Sequence, residues 1–436
     1  MTNQPEQTRR LWLRENQIFV LLTIVIGVLA GLSAVLFSLA IDATSRLLFG
    51  FEPSAARRLA VPALMSVVAG ILLARVFPDV RGSGIPQTKT AYHRDGGIMR
   101  WRVPIGKFIT GVMCVGGGHS MGREGPSVQI GAGIASALGQ WLALSPTRIR
   151  DLVPVGAAAA LAAAFNTPVA AVLFALEEII GDMNARLIGS AVAASVASVI
   201  VARSILGDQP LFHVPAYQLM HPAELGAYFV LGIVGGLVSV VFTRSLLRSR
   251  AAWLRLPAHT RILQPALGGV LIGIVLVFEP AVAGVGYEYV DQALNGEMLL
   301  TAMVLLGGLK IVATITSYVS GNAGGIFAPT LFIGAMTGGA VGAVVNTYAP
   351  FPTASVGAYA LVGMGALFAG IIRAPMTSVF MIFELTQDYE ILVPLMVANM
   401  LSLLLSRRLQ REPIYNALLQ QDGIYLPPPA TERQEA

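Results

Sequence analysis

The chain has 436 residues, with 29 Lys and Arg against 24 Asp and Glu, a formal net charge of +5. Hydrophobic residues make up 55% and charged ones 12%, about half the charged share of a soluble domain, and the mean hydropathy is +0.69. A water-solvated globule of this size is excluded in favour of a polytopic membrane protein; the single Cys114 excludes an intrachain disulfide framework and a cysteine-based zinc site.

Arg9, Arg10 and Arg14 precede an apolar stretch from Gln17 to Ile41. The stretch is long and no small-residue cleavage site follows, so it reads as a retained first helix with a cytoplasmic N-terminus. Further apolar segments lie near 61–77, 104–118, 125–144, 152–180, 187–206, 224–247, 262–278, 298–319, 326–349, 355–383 and 391–406. Several fall short of the roughly 20 residues of a clean span, and others are broken by Gly and Pro. Helices that stop inside the membrane must line a cavity or be buried in protein. Basic clusters at 9–14, 81–102, 244–261 and 407–411 are assigned to the cytoplasm. The linkers 207–223 and 279–300 carry no Lys or Arg and are assigned to the outside. Both termini are then cytoplasmic. The arginines flank apolar runs, which points to a lipid bilayer and not to nucleic acid.

The two halves resemble each other. Gly122-Arg123-Glu124-Gly125-Pro126, followed by Ile130-Gly131-Ala132, matches Gly325-Ile326-Phe327-Ala328-Pro329 and Ile333-Gly334-Ala335. Lys107 matches Lys310 at the same offset, and Pro78, Gly82 and Gly84 match Pro280, Gly284 and Gly286 one residue out of step. Glu177 matches Glu384. Order and near-equal spacing over four motifs mark a repeat. The matching loops fall in a basic, inward region and an acidic, outward one, so the repeat is inverted, as in many secondary transporters. The expected fold is all-α, a single transmembrane domain over 1–436. It comprises a first repeat at 16–206, an extracellular linker at 207–223, a second repeat at 224–411 and a short cytoplasmic tail at 412–436.

Gly82-Ser83-Gly84-Ile85-Pro86 has the form of a helix start, in which Ser83 offers a hydroxyl, the glycines allow close backbone approach and Pro suits the first turn. The stretches 122–126 and 324–329 have the same form. A helix N-terminus carries about half a positive charge and unpaired N–H donors. Several such ends converging at mid-membrane would hold an anion without a full cation, which would bind too tightly for release.

The three motifs, in this order, resemble the CLC family of chloride channels and proton-coupled anion exchangers, over about residues 16–415. The resemblance implies broken, tilted helices, a homodimer with one anion pathway per subunit, chloride and protons as the transported partners, a bacterial inner membrane, and no organic cofactor or metal. It implies that Gly82 and Ser83 belong to the anion-binding residues, with Ser83 donating its hydroxyl to the central anion, and that the N–H groups of Ile326 and Phe327 hold the same ion. Tyr415, in Pro413-Ile414-Tyr415-Asn416-Ala417, resembles the family's late tyrosine, a second hydroxyl donor. Glu124 resembles the gating glutamate and Glu178 the inner proton-transfer glutamate. Family exchangers usually carry an acid at this last position and channels usually lack one, so proton-coupled exchange is expected over a passive channel.

Glu124 stands out on physical grounds as well. An acid in an apolar run is functional by default; a helix N-terminus favours its ionised form, and a neighbouring anion disfavours it. A carboxylate can thus occupy an anion site and leave it on protonation. A salt bridge to Arg123 is disfavoured because adjacent helical residues do not face each other. Of the pair Glu177 and Glu178, the first has a repeat partner in Glu384, which suggests a shared structural role. The second stands opposite Leu385, so its acid is not required by the repeat.

Gly118-His119-Ser120-Met121-Gly122 fits a nucleophile-elbow pattern, but no strand precedes it. A serine hydrolase using Ser120 and His119 is therefore a remote alternative, and His119 is expected in a loop near the outer face. The pairs Gly27–Gly31, Gly232–Gly236 and Gly338–Gly342 fit helix contacts. Two departures from the family pattern stand out. Lys89 takes the place of a glutamate found in some exchangers, which would tune the proton route. Asn322-Ala323 replaces a frequent Ala-Pro, which would alter the rigidity of that loop.

Overall fold

The computed structural model describes residues 6–183, 186–208, 211–212 and 220–427. Residues 209–210 and 213–219 of the expected linker, and the tail beyond Pro427, lie outside them. The first half contains α1 (Glu6–Phe49), α2 (Ala55–Arg75), α3 (Ile85–His93), α4 (Arg102–Gly116), α5 (Glu124–Trp141), α6 (Pro146–Phe165), α7 (Pro168–Phe174) and α8 (Ile188–Leu206). The second half contains α9 (Glu224–Leu254), α10 (Gln264–Phe278), α11 (Tyr287–Leu294), α12 (Leu300–Val319), α13 (Phe327–Tyr348), α14 (Val356–Ile371), α15 (Pro375–Thr386) and α16 (Leu392–Leu409), followed by α17 (Ile414–Gln421). Extended pairing among the described residues is confined to two isolated bridges, Gly82 with Ala323 and Gly122 with Gly325.

The fold is all-helical, and the halves repeat their packing as well as their order. Helix α1 packs on α8 as α9 packs on α16, α5 on α6 as α13 on α14, and α4 on α5 as α12 on α13. Helices α2 and α10, and α7 and α15, meet across the halves. Among the described residues, 7 helices are long and apolar enough to cross a membrane. The short α14 is buried from Gly357 to Ile371. A helix apolar all round belongs in a core, and being wrapped in protein frees it from spanning on its own. Exposed apolar side chains such as Leu36, Val230 and Leu404 lie on the outer helices, where hydrocarbon would cover them.

Close helix approach follows from small residues. A Cβ on Gly131 would fall 2.3 Å from the Gly156 carbonyl oxygen, and one on Gly338 would fall 2.1 Å from that of Tyr359. The Gly27–Gly31 pair seats α1 on Ala194 and Ser198 of α8, and Gly232–Gly236 seats α9 on α16. The apolar segments at 152–180 and 355–383 are each two helices, not one. The first breaks at Asn166, with φ of 59°, and restarts at Pro168; the second breaks at Arg373, with φ of 67°, and restarts at Pro375. Proline ends a helix on its N-terminal side because it lacks an N–H and crowds the residue before it.

Candidate functional site

The three glycine motifs meet at one place. The Gly82 carbonyl accepts from the Gly324 N–H at 3.2 Å, and Gly122 and Gly325 exchange hydrogen bonds of 2.7 and 2.8 Å. A Cβ on Gly125 would sit 2.6 Å from Ser83 Oγ and 3.2 Å from the Gly325 Cα. Gly84 has φ of 101° and faces the Gly125 carbonyl, so no larger residue fits there. Two buried lysines brace the loops. Lys107 donates to the carbonyls of Val80 at 2.9 Å and Gly82 at 2.5 Å, and Lys310 donates to those of Val282 at 3.1 Å and Gly284 at 2.9 Å. The repeat match of these lysines is thus a match of task, and their charge is spent on backbone.

Ser83, Ile326, Phe327 and Tyr415 are all fully buried around this meeting point. The cap of α3 is Gly84, whose N–H donates to Gln87 Oε1 at 3.0 Å. Ser83 therefore does not cap the helix, and its hydroxyl is left unspent. Among the described residues, neither Ser83 Oγ nor Tyr415 Oη, both buried, has a hydrogen-bond partner of ordinary geometry. Each unsatisfied buried hydroxyl costs about 1–3 kcal/mol, and such groups in a native fold call for a ligand or a functional reason. Helices α5 and α13 begin beside them with no side-chain cap, so their first N–H groups also seek an acceptor. The Phe327 ring lies 5.1 Å from Phe165, 5.7 Å from Phe174 and 4.7 Å from Phe368, an apolar collar that keeps water out. Hydroxyls and amide ends in a dry setting can bind a small dehydrated anion and release it again.

Glu124 is the first residue of α5 and is fully buried. Its Oε1 accepts from the Tyr287 hydroxyl. Its Oε2 lies toward the Ala328 amide at the start of α13 without a hydrogen bond of ordinary geometry. The carboxylate thus sits where a bound anion would meet that helix end. Arg123 turns away, donating to Ser38 Oγ and lying 5.7 Å over the Tyr287 ring. Tyr287 was not singled out by the sequence. Its signal was its place directly after Gly286, the counterpart of Ile85 after Gly84.

Glu178 lies in a π-helical turn, Ala175–Ile180, that continues α7. Such turns shift side chains off the α-helical register and favour functional sites. Lys89 donates to Glu178 Oε1 at 2.6 Å and to Asn416 Oδ1 at 2.8 Å. The chain of contacts runs from Glu178 through Lys89 to the residue beside Tyr415. A cavity of about 870 Å³, lined by Lys89, Glu178, Arg150, Arg373 and Asn416, opens here. A second cavity of about 460 Å³ is lined by Arg58, Arg123, Gly284 and Tyr287, and so reaches the tyrosine that bonds Glu124.

His119 lies in the loop after α4, as expected, and is wholly buried. Its Nε2 is 2.5 Å from Ser66 Oγ, while Ser120 Oγ is 3.2 Å from Thr314 Oγ1. Among the described residues, His119 and Ser120 are thus each bonded to a different partner and not to each other. Asn322 holds its loop through Ser320 Oγ at 3.0 Å, and the Ala323 N–H donates to Cys114 Sγ at 3.4 Å. Tethers therefore replace the missing proline.

The chain is 31% identical over 431 residues to the H(+)/Cl(-) exchange transporter ClcA of Salmonella typhimurium, covering 95% of this chain and 91% of the relative. It is 30% identical over 412 residues to the protein of the same name from Vibrio campbellii, covering 91% and 88%. Its fold is similar to that of a slow cyanobacterial Cl-/H+ antiporter, with a TM-score of 0.84, 28% identity and coverage of 93% and 97%. A CLC-type fluoride/proton antiporter shares the fold at a TM-score of 0.77 and 21% identity, covering 92% of this chain and 98% of the other. Residues 64–407 match the family described as voltage gated chloride channel. With converging helix starts, paired halves and a match over most of its length, the chain belongs to that family, the CLC proteins.

Proposed function

We propose that the chain exchanges chloride for protons across a bacterial inner membrane, acting as a transporter and not an enzyme. The observation that carries this reading is the Glu124 carboxylate at the amide end of α13, beside two unspent buried hydroxyls. Ionised Glu124 holds the outer anion position against chloride. Protonation removes the charge that ties it to the helix end, and chloride takes its place at the outer position, next to the central ion held by Ser83, Tyr415 and the N–H groups of Ile326 and Phe327. Glu178 passes protons between the Lys89 cavity, on the cytoplasmic side, and Glu124. The relatives' names, as chloride and proton exchangers, support coupling over passive flow.

The layout that goes with this is one transmembrane domain, with repeats at 16–206 and 224–411, an outward linker at 207–223 and both termini in the cytoplasm. The family resemblance supports a homodimer with an anion pathway in each subunit. Chloride is the bound substrate, and no cofactor or metal takes part. In sealed liposomes a chloride gradient should drive protons uphill. Glu124→Gln should keep chloride flux and lose proton movement. Chloride flux in the wild type without a pH change would leave only the passive-channel reading.

A further inference from the structure

Tyr287 approaches the gate from the other half of the molecule. It is the first residue of α11, directly after Gly286, whose φ is 79°. Its loop has little freedom. A Cβ on Gly286 would fall 2.9 Å from the Phe332 ring and 3.2 Å from Lys310 Nζ, while Lys310 pins the Gly284 carbonyl. The Tyr287 ring is held by Phe212 at 5.2 Å and Phe165 at 6.4 Å, and is covered by the Arg123 guanidinium. A phenylalanine would fill this slot equally well. What the hydroxyl adds, among the described residues, is one bond, to Glu124 Oε1.

We propose that Tyr287 is a latch on the gate: its hydroxyl holds the Glu124 carboxylate in the anion position and so sets how well chloride competes for that position. The inference rests on Glu124 being the gate. A hydroxyl-to-carboxylate bond is strong because the acceptor is charged, and a rigid donor loses little freedom in making it. Tyr287 also lines the cavity of about 460 Å³, so one side chain reaches from that cavity to the gate carboxylate. The bond belongs to the seated carboxylate and is broken when Glu124 swings away. The hydroxyl therefore favours the seated carboxylate over the bound halide. Tyr287 acts through Glu124 and is a positioning residue.

The test is a double-mutant cycle on the purified full-length protein, with chloride affinity read by titration calorimetry. Tyr287→Phe should tighten chloride binding on the order of tenfold, the weight of a hydrogen bond to a charged group. In a Glu124→Ala background the same change should have no effect beyond twofold. Equal affinity in Tyr287→Phe and wild type, or weaker binding, overturns the latch. An equal change in both backgrounds overturns it too, because the tyrosine would then act through packing. Glu124→Ala alone should bind chloride more tightly than wild type. If it does not, the gate reading falls and the latch with it; if it does and Tyr287→Phe is inert, only the latch falls.

Discussion

Glu177 and Glu384 each cap a helix in the opposite half of the chain. Glu177 accepts from the N–H groups of Met376 at 3.1 Å and Thr377 at 2.7 Å, at the start of α15, and from Thr377 Oγ1 at 2.7 Å. Glu384 accepts from those of Val169 at 2.9 Å and Ala170 at 2.8 Å, at the start of α7. Each carboxylate meets the positive end of a helix dipole. The two halves are thereby tied beside Glu178, which follows Glu177 directly.

Removing either cap leaves helix N–H groups unpaired. Glu177→Ala and Glu384→Ala should each destabilise the protein by about 1.5–3 kcal/mol, the range for hydrogen bonds to charged groups. Thermal unfolding of the purified protein reads this. Glu177→Ala should also slow proton transport, by freeing the turn that carries Glu178, while Glu384→Ala should leave the coupling intact. Equal melting of both variants and the wild type would contradict the reciprocal capping.

The ion pair between Lys89 and Glu178 spans 2.6 Å, and both side chains are buried. A proton reaching Glu178 must displace the hold of this ammonium. Lys89→Met should therefore raise the exchange rate a few-fold where proton loading limits it, provided the fold survives the loss of a buried partner. Stopped-flow or liposome flux measurements at neutral pH check this. A folded variant with an unchanged or slower rate would show that the pair does not restrain Glu178.

Lys107 and Lys310 brace different loops, so their removal should have different consequences. Lys107→Met frees the carbonyls of Val80 and Gly82 next to Ser83, and chloride affinity should drop about tenfold or more, because each unpaired buried group costs about 1–3 kcal/mol. Lys310→Met frees the loop that leads to Tyr287 and should not weaken chloride binding. Calorimetric titration of both variants decides. A comparable loss in the two would mean that the lysines act on general stability alone.

Much of this organisation was legible in the sequence because glycine and proline act locally. Gly82, Gly84, Gly122 and Gly325 marked the loops that meet, and the acid at Glu124 stood out against its apolar run. The match of Glu177 to Glu384 suggested a shared task, which the cross-capping supplies. What remained hidden depends on tertiary placement. Nothing local to Tyr287 says that its hydroxyl reaches Glu124, 163 positions away. Ser83 resembled a helix cap, yet Gln87 does that work and leaves the serine free. The breaks at Asn166 and Arg373 were lost inside continuous apolar runs, because hydropathy is blind to a single left-handed residue.

The anion pocket itself is best tested by diffraction. Crystals of the full-length protein grown with bromide in place of chloride should show an anomalous peak between Ser83 Oγ and Tyr415 Oη, near the N–H groups of Ile326 and Phe327. In Glu124→Gln crystals a second peak should appear at the end of α13, where the carboxylate now sits. No bromide peak near Ser83 in either crystal, at data quality that reveals the sulfur positions, would contradict the account.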